Sequence, residues 1–166
     1  MNKIKASIVC AAALLLFCAG NVFALDTASD FSLTDTSGKT VSLSSFRGTK
    51  PVLLFFWTTW CPYCVRQMKT LNEKYAKMSV EGIEVIPINV GESEEKVLRF
   101  LSRNRINVPS LMDGYGTVAD TYRLIGVPTY TLVDREGRIV FQSNEFPSKE
   151  YKSVLRVTAR KGAAVR

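Results

Sequence analysis

The sequence predicts an α/β domain in which a mixed central β-sheet has helices on both faces and an added N-terminal β-hairpin. Three observations support this prediction. Strand-like and helix-like patterns alternate along the chain, two strand-like segments are continuous apolar runs, and residues 31–46 alternate around a turn. Alternating elements of this kind build a sheet packed between helices, and continuous apolar runs indicate strands covered on both faces.

The first patterned segment, residues 31–46, is predicted to form the hairpin. Apolar and polar side chains alternate on both sides of the turn Asp35-Thr36-Ser37-Gly38-Lys39. A period of two indicates a strand with one buried face, and Asp, Ser and Gly between two such runs indicate a chain reversal. The apolar positions are Phe31, Leu33, Val41 and Leu43.

Two buried strands and a long helix are predicted at the centre of the domain. The apolar run Val52–Trp57 and a similar run over residues 85–90 are typical of central strands. Between them, a helix is predicted to begin near Pro62, because apolar residues recur at intervals of three and four. These residues are Val65, Met68, Leu71, Tyr75 and Met78.

The second half of the chain repeats this alternation. A helix over residues 92–105 has acids in its first turn, and its spacing turns Val97, Leu98 and Leu101 inward. The remaining predicted elements are a short helix over residues 115–124, antiparallel strands over 130–133 and 138–141, and a last helix over 147–158.

The first 24 residues have the layout of a secretory signal peptide. Two lysines precede an apolar stretch over residues 8–19, and small residues follow up to Ala24. We therefore expect a signal peptide over 1–24, a single domain over 25–166, and an extracytoplasmic location in the periplasm or cell envelope. The apolar stretch is short for a membrane span. A retained anchor and lipidation at Cys18 are the lesser alternatives.

The chain is basic, with a net charge of +7. Part of the excess positive charge lies at the end of the chain. We interpret it as a solvated helix face or tail rather than as a docking patch for an acidic partner or anionic lipid. Nucleic acid is not expected as a partner of an exported protein, and we expect a monomer. The basic residues concerned are Arg156, Arg160, Lys161 and Arg166.

The cysteines carry the main functional signal. Cys10 and Cys18 belong to the predicted signal peptide, so the mature chain retains Cys61 and Cys64. A disulfide between them closes a loop too short to restrain the unfolded chain, so a structural role explains the pair poorly. A structural zinc site needs four nitrogen or sulfur ligands, and the chain has no histidine. We therefore predict no metal and no cofactor.

A strand that runs into a helix through Cys-x-x-Cys predicts a redox-active dithiol. Unpaired N–H groups at the helix start favour the thiolate form of Cys61, which can then attack a disulfide in a partner. Cys64, one turn further along the helix, then attacks Cys61 and releases the reduced partner. Pro62 suits the first helical position because its missing N–H would be unpaired there.

Two segments carry a resemblance to a known family. The run from Phe56 to Cys64, followed much later by Gly126-Val127-Pro128-Thr129, resembles the thioredoxin superfamily. The opening hairpin and residues 82–93 are similar, more narrowly, to the ResA and TlpA branch of extracytoplasmic thiol-disulfide reductases. The resemblance covers about residues 29–158 and implies the thioredoxin-like fold.

The resemblance also implies roles for residues around the cysteines. Pro128 would be a cis proline facing the disulfide, and the Val127 backbone would pair with a bound substrate strand. Trp60 would help to form the rim of the docking surface. The pair Pro62-Tyr63 departs from the dipeptide most familiar in ResA and looks like that of glutaredoxins; a dipeptide at this place tunes the redox potential and docking.

An acidic residue near the cysteines is expected by the same resemblance, and Glu84 matches it. A carboxyl group buried beside the sulfurs would take and return the proton of Cys64. The alternative is an outward-facing glutamate at a strand edge. Ordinary thioredoxins have a buried aspartate in the preceding strand, where this chain has Phe55.

We therefore expect a reductase of disulfides in exported proteins. The resemblance implies a role in cytochrome c biogenesis, with apocytochrome c as the substrate class. A membrane thiol-disulfide carrier is the expected electron donor. A disulfide oxidase or isomerase has the same redox centre and stays open. A peroxidase would need a Pro-x-x-x-Thr-x-x-Cys pattern, which is missing. A non-catalytic client-binding module is the remaining alternative.

Overall fold

The described chain opens with the predicted hairpin. The computed structural model describes residues 26–163, with side chains as far as residue 157, so the predicted signal peptide lies outside it. Strand β1 (Ser32–Thr34) pairs antiparallel with β2 (Thr40–Ser42), and a short 3₁₀ helix (Leu43–Phe46) follows. In the turn, the carboxylate of Asp35 accepts hydrogen bonds from the backbone N–H groups of Ser37 and Lys39. The prediction of an opening hairpin is confirmed.

A separate five-stranded mixed sheet forms the centre of the protein. Its middle strand pairs in parallel with the strand on one side and antiparallel with the strand on the other. The spatial order is β5-β4-β3-β6-β7. The strands are β3 (Val52–Trp57), β4 (Glu84–Val90), β5 (Leu111–Asp113), β6 (Thr129–Val133) and β7 (Ile139–Ser143).

The register between β3 and β4 determines which residues meet at each edge of the sheet. Trp57 at the end of β3 lies opposite Asn89 near the end of β4, whereas Val52 lies opposite Glu84 at the other edge. Because the two strands are parallel, the loops that follow both of them leave the sheet at the same edge. Those two loops contain Cys61 and Glu92.

Four helices complete the fold, and they lie on both faces of the sheet as predicted. The helices are α1 (Pro62–Val80), α2 (Glu94–Arg103), α3 (Thr117–Thr121) and α4 (Glu150–Ala163). Helices α1, α2 and α4 pack over the face that carries Phe55, whereas α3 and the hairpin pack over the face that carries Phe56. None of the helices in the described part of the chain is long and apolar enough to cross a membrane.

Several details differ from the sequence-based predictions. Helix α2 begins at Glu94 rather than at residue 92, because Gly91 adopts a positive φ of 70° and turns the chain before the helix starts. Leu98 is 41% exposed rather than inward-facing, since the buried stripe of α2 consists of Val97 and Leu101. Strand β5 was not predicted, because three residues are too few for a recognisable pattern.

Candidate active site

Cys61 lies at the junction of strand β3 and helix α1. It is the N-cap residue of α1, and its sulfur accepts a hydrogen bond of 3.2 Å from the backbone N–H of Cys64. The thiol group donates in turn to the carbonyl oxygen of Val127, at 3.7 Å. Pro62 occupies the first helical position, as predicted. Both cysteines are free thiols in the structure.

Cys64 is completely buried one turn into the helix. Burial raises the pKa of its thiol well above the usual range, and the hydrogen bond and charge of Cys61 raise it further. Hydrogen bonding from the Thr58 backbone opposes this shift. Cys64 is therefore a protonated thiol at neutral pH, and it becomes a nucleophile only when a neighbouring group accepts its proton.

The loop before β6 forms the other side of the site. The Val127–Pro128 peptide bond is cis, which confirms the predicted isomer. The carbonyl oxygen of Pro128 accepts a hydrogen bond of 2.6 Å from the side-chain amide of Asn144, and Thr129 Oγ1 donates to the Gly126 carbonyl at 2.7 Å. The first bond ties the loop to the residue that follows β7, and the second braces the loop internally, so both hold the Val127 carbonyl beside Cys61.

Exposed aromatic side chains flank the cysteines. Trp60 and Tyr63 are 67% and 65% exposed, although both are large and partly apolar. The Arg66 guanidinium lies 4.5 Å from the centre of the Tyr63 ring, a cation–π contact one turn along α1. Pro62 is exposed between them. The structure thus brings together the residues predicted to contact a substrate.

The prediction that Glu84 lies beside the cysteines is wrong. Glu84 pairs with Val52 at the start of β3, five positions before the Trp57–Asn89 pair at the other edge. At about 3.3 Å per residue this separation is roughly 16 Å. The carboxylate of Glu84 forms an ion pair of 2.5 Å with Lys50 instead. The parallel register is the physical reason, since the start of β4 and the end of β3 lie at opposite edges.

Uncharged groups occupy the interior beside Cys64. The hydroxyl of Tyr130 donates a hydrogen bond of 3.0 Å to the side-chain oxygen of Gln67, one turn beyond Cys64 on α1. The Tyr130 ring stacks on Phe55, with 4.8 Å between centroids. Burial and the nearby Cys64 raise the pKa of Tyr130. No carboxylate is among these interior contacts.

The carboxylate that approaches the cysteine loop belongs to Glu92, which was expected to lie in the first turn of a helix. Glu92 Oε2 accepts from the backbone N–H of Thr59 at 2.6 Å, and Oε1 accepts from the Thr59 hydroxyl at 2.7 Å. Asn89 Nδ2 and Lys96 Nζ contact the same carboxylate at 2.8 and 2.7 Å. Burial alone would raise the pKa of Glu92, but these hydrogen bonds together lower it.

The geometry supports thiol-disulfide exchange. One sulfur lies at a helix N-terminus on a residue that is 5% exposed, and the second lies on a completely buried residue within reach of the first. Among residues 26–163, no group of three or more Asp, Glu, Cys or His side chains is arranged to hold a metal ion.

Comparison with known proteins agrees with this geometry. The AhpC/TSA family model matches residues 24–142. The thiol-disulfide oxidoreductase ResA of Bacillus thuringiensis subsp. konkukian is 34% identical over 123 residues, which cover 74% of this chain and 70% of that protein.

Two solved structures of other proteins have a fold similar to that of this chain. A putative thiol:disulfide interchange protein DsbE from Chlorobium tepidum is 30% identical with a TM-score of 0.69, covering 81% of this chain and 96% of that one. A putative protein disulfide isomerase from Bacteroides thetaiotaomicron is 30% identical with a TM-score of 0.68, covering 81% and 86%. The chain therefore belongs to the AhpC/TSA family and is a thioredoxin-like protein thiol-disulfide oxidoreductase of the ResA and DsbE type.

Proposed function

We propose that this protein reduces disulfides in extracytoplasmic proteins, with apocytochrome c as the substrate class, and that Cys61 and Cys64 carry the reaction. The observation that carries the proposal is the asymmetry of the two sulfurs. Cys61 lies at the helix N-terminus beside the Val127 carbonyl and keeps 5% exposure, whereas Cys64 lies one turn further into the helix and is completely buried. An outer nucleophile and an inner resolving thiol are what two-step exchange requires.

The proposed reaction has two displacements. The Cys61 thiolate attacks one sulfur of the substrate disulfide, the substrate S–S bond breaks, and the departing sulfur takes up a proton. Cys64 then loses its proton and attacks Cys61 Sγ, which breaks the mixed disulfide and releases the second substrate thiol. The substrate has gained two electrons and two protons, and the enzyme holds the Cys61–Cys64 disulfide.

The loop and the rim supply substrate contacts in this proposal. An extended substrate would pair with the Val127 backbone beside Pro128, which brings its disulfide to the sulfur of Cys61. Trp60 and Tyr63 offer exposed aromatic surface on either side of the nucleophile, with Pro62 between Tyr63 and Cys61.

The electron donor follows from the proposed location. If residues 1–24 direct export, the protein works where a soluble nicotinamide pool is out of reach. We therefore propose a membrane thiol-disulfide protein as the donor, which would reduce the Cys61–Cys64 disulfide after each cycle by the same exchange in reverse.

A disulfide isomerase or oxidase is the second candidate, and one solved neighbour described as a putative protein disulfide isomerase favours it. The reduction potential distinguishes the candidates, measured on residues 25–166 in defined thiol-disulfide buffers. A value near about −270 mV, as in thioredoxin, supports the reductase, whereas a value near about −120 mV, as in DsbA, supports disulfide formation.

Cysteine variants test the roles of the two sulfurs. Cys61→Ser should abolish turnover of a protein disulfide, and Cys64→Ser should accumulate a mixed disulfide between Cys61 and the substrate. Mass spectrometry of the trapped species identifies the bonded cysteine. Trapping through Cys64 in the Cys61→Ser variant at a similar rate would contradict the proposed order of attack.

A further inference from the structure

Glu92 combines burial, negative charge and contact with the loop before Cys61. Its side chain is 5% exposed and carries four polar contacts, two of them to Thr59. Both carboxylate oxygens face Thr59, one toward the backbone N–H and the other toward the hydroxyl. Such paired hydrogen bonds to an ionised group are stronger and more directional than neutral ones.

Helix capping does not explain this arrangement. Helix α2 begins two residues after Glu92, and its N-cap residue, Ser93, makes no side-chain cap hydrogen bond. The Glu92 carboxylate instead faces the loop after β3, where it contacts Thr59, while its partner Asn89 lies opposite Trp57 in the sheet. A buried charge is costly unless it is well paired, so its contacts favour one arrangement of this loop.

The loop that Glu92 holds borders both sulfurs. Thr59 is two residues before Cys61, and the preceding residue, Thr58, is buried, with a backbone hydrogen bond that lowers the pKa of the Cys64 thiol. Any shift of Thr59 therefore disturbs this hydrogen bond to the buried thiol. The same segment ends at Cys61, whose sulfur is held by the Cys64 N–H.

We propose that Glu92 is a positioning residue, whose ionised carboxylate holds Thr59, and through it the segment from Thr58 to Cys61, in the position that the attack of Cys64 on the mixed disulfide requires. This inference rests on the proposed roles of Cys61 and Cys64. Glu92 does not touch the reacting sulfurs and acts through the loop. Negative charge develops on Cys64 as it loses its proton, and the backbone hydrogen bond from Thr58 in this segment favours that charge.

The test separates the two displacements with an aromatic disulfide that releases one coloured thiolate in each step. The first release follows attack by Cys61, and the second follows attack by Cys64, which leaves the Cys61–Cys64 disulfide in the protein. Stopped-flow absorbance records both phases over a range of pH in the reduced protein. The variants are Glu92→Gln, which removes the charge, and Thr59→Val, which removes one hydroxyl donor.

Two controls separate positioning from general destabilisation. Glu95→Gln removes a carboxylate from the same helix start, where Glu95 is 78% exposed and pairs only with Arg99 among its described contacts. Met78→Ala opens a cavity near the far end of α1 and lowers stability without touching the loop. Thermal unfolding of all four variants places them on one stability scale.

We expect Glu92→Gln to slow the second release about tenfold, the effect of losing one hydrogen bond to a charged group, and to change the first less than threefold. The pH at which the second phase reaches half its maximal rate should rise. Thr59→Val should give a smaller slowing, and both controls should keep the wild-type ratio of the two rates.

An unchanged ratio in Glu92→Gln, with only a lower unfolding temperature, overturns the inference. The inference is also overturned if Met78→Ala slows the second release as much as Glu92→Gln does, because lower stability alone would then explain the effect. The proposed function fails separately, if Cys61→Ser still shows the first release or if Cys64→Ser still shows the second.

Discussion

The sulfur of Cys61 lies 3.7 Å from the carbonyl oxygen of Val127, although 66 positions separate the two residues in the chain. One residue ends the loop after β3, and the other precedes β6, the antiparallel neighbour of β3. Adjacent strands of one sheet thus bring the nucleophile and the loop with the cis peptide bond to the same edge. A substrate that pairs with this loop would meet the outer sulfur first.

The two thiols should differ sharply in their reactivity toward alkylating agents. In the reduced protein at neutral pH, we expect iodoacetamide to modify Cys61 at least about tenfold faster than Cys64, because Cys64 is buried and remains protonated. Peptide mass spectrometry after short exposures measures the two rates. The unfolded protein in urea is the control, where the rates should become similar.

The raised pKa of Cys64 predicts that the reduced protein loses stability in alkali. The unfolded thiol loses its proton above about pH 8.5, while the folded thiol keeps it, so the unfolded state binds fewer protons and stability falls as pH rises. The oxidised protein has no such thiol and should lack this loss.

Urea unfolding of both redox forms at neutral pH and near pH 10 checks this prediction. The reduced Cys64→Ser variant should lose less stability between these conditions than the reduced wild type. A reduced wild type that loses no more stability than the oxidised form would show that burial does not hold the proton on Cys64.

Glu92 should give the protein an acid-sensitive contribution to stability. Its folded pKa is lowered by the hydrogen bonds that outweigh burial, so its contribution is full above the unfolded value of about 4.3 and is lost as pH falls through the lower folded value. We expect the stability difference between wild type and Glu92→Gln to shrink in that range. Urea titrations between about pH 7 and pH 3 measure it, with Glu95→Gln as the variant expected to show little change.

The turn that directs Glu92 toward the cysteine loop depends on Gly91. Its φ of 70° lies in the left-handed region, and a β-carbon there would meet no atom within 4 Å, so strain rather than collision limits substitution. We expect Gly91→Ala to lower the free energy of unfolding by about 1–2 kcal/mol. Gly91→Asn should cost less because asparagine tolerates this conformation. Equal losses in the two variants would point to a cause other than backbone strain.

Glu84 should be dispensable for exchange. It forms an ion pair with Lys50 at the sheet edge away from the cysteines, and partly exposed pairs of this type contribute about 1 kcal/mol or less. We expect Glu84→Gln to change the rates of both displacements less than twofold. A large fall in the second rate with normal stability would restore the original assignment of a proton-transfer role to Glu84.

Local patterns were sufficient to predict most of this molecule. The apolar run of β3, the spacing of α1 and Pro62 at its start all depend on residues close together in the chain. They therefore predicted a strand, a dithiol and a helix in that order. Resemblance of the Gly126–Thr129 segment to the thioredoxin superfamily added the cis isomer of Pro128.

Which carboxylate lies near the dithiol could be settled only in three dimensions. Glu84 is the first residue of β4 and Glu92 follows the end of the same strand, eight positions later, and nothing local distinguishes their distance from Cys61. The parallel register of β3 and β4 puts Glu84 at the far edge, and the turn at Gly91 brings Glu92 to Thr59. Residue patterns therefore determined the helices, the strands and the reacting sulfurs. Strand direction and register arise from contacts between distant parts of the chain, so only tertiary packing determined which side chains lie beside those sulfurs.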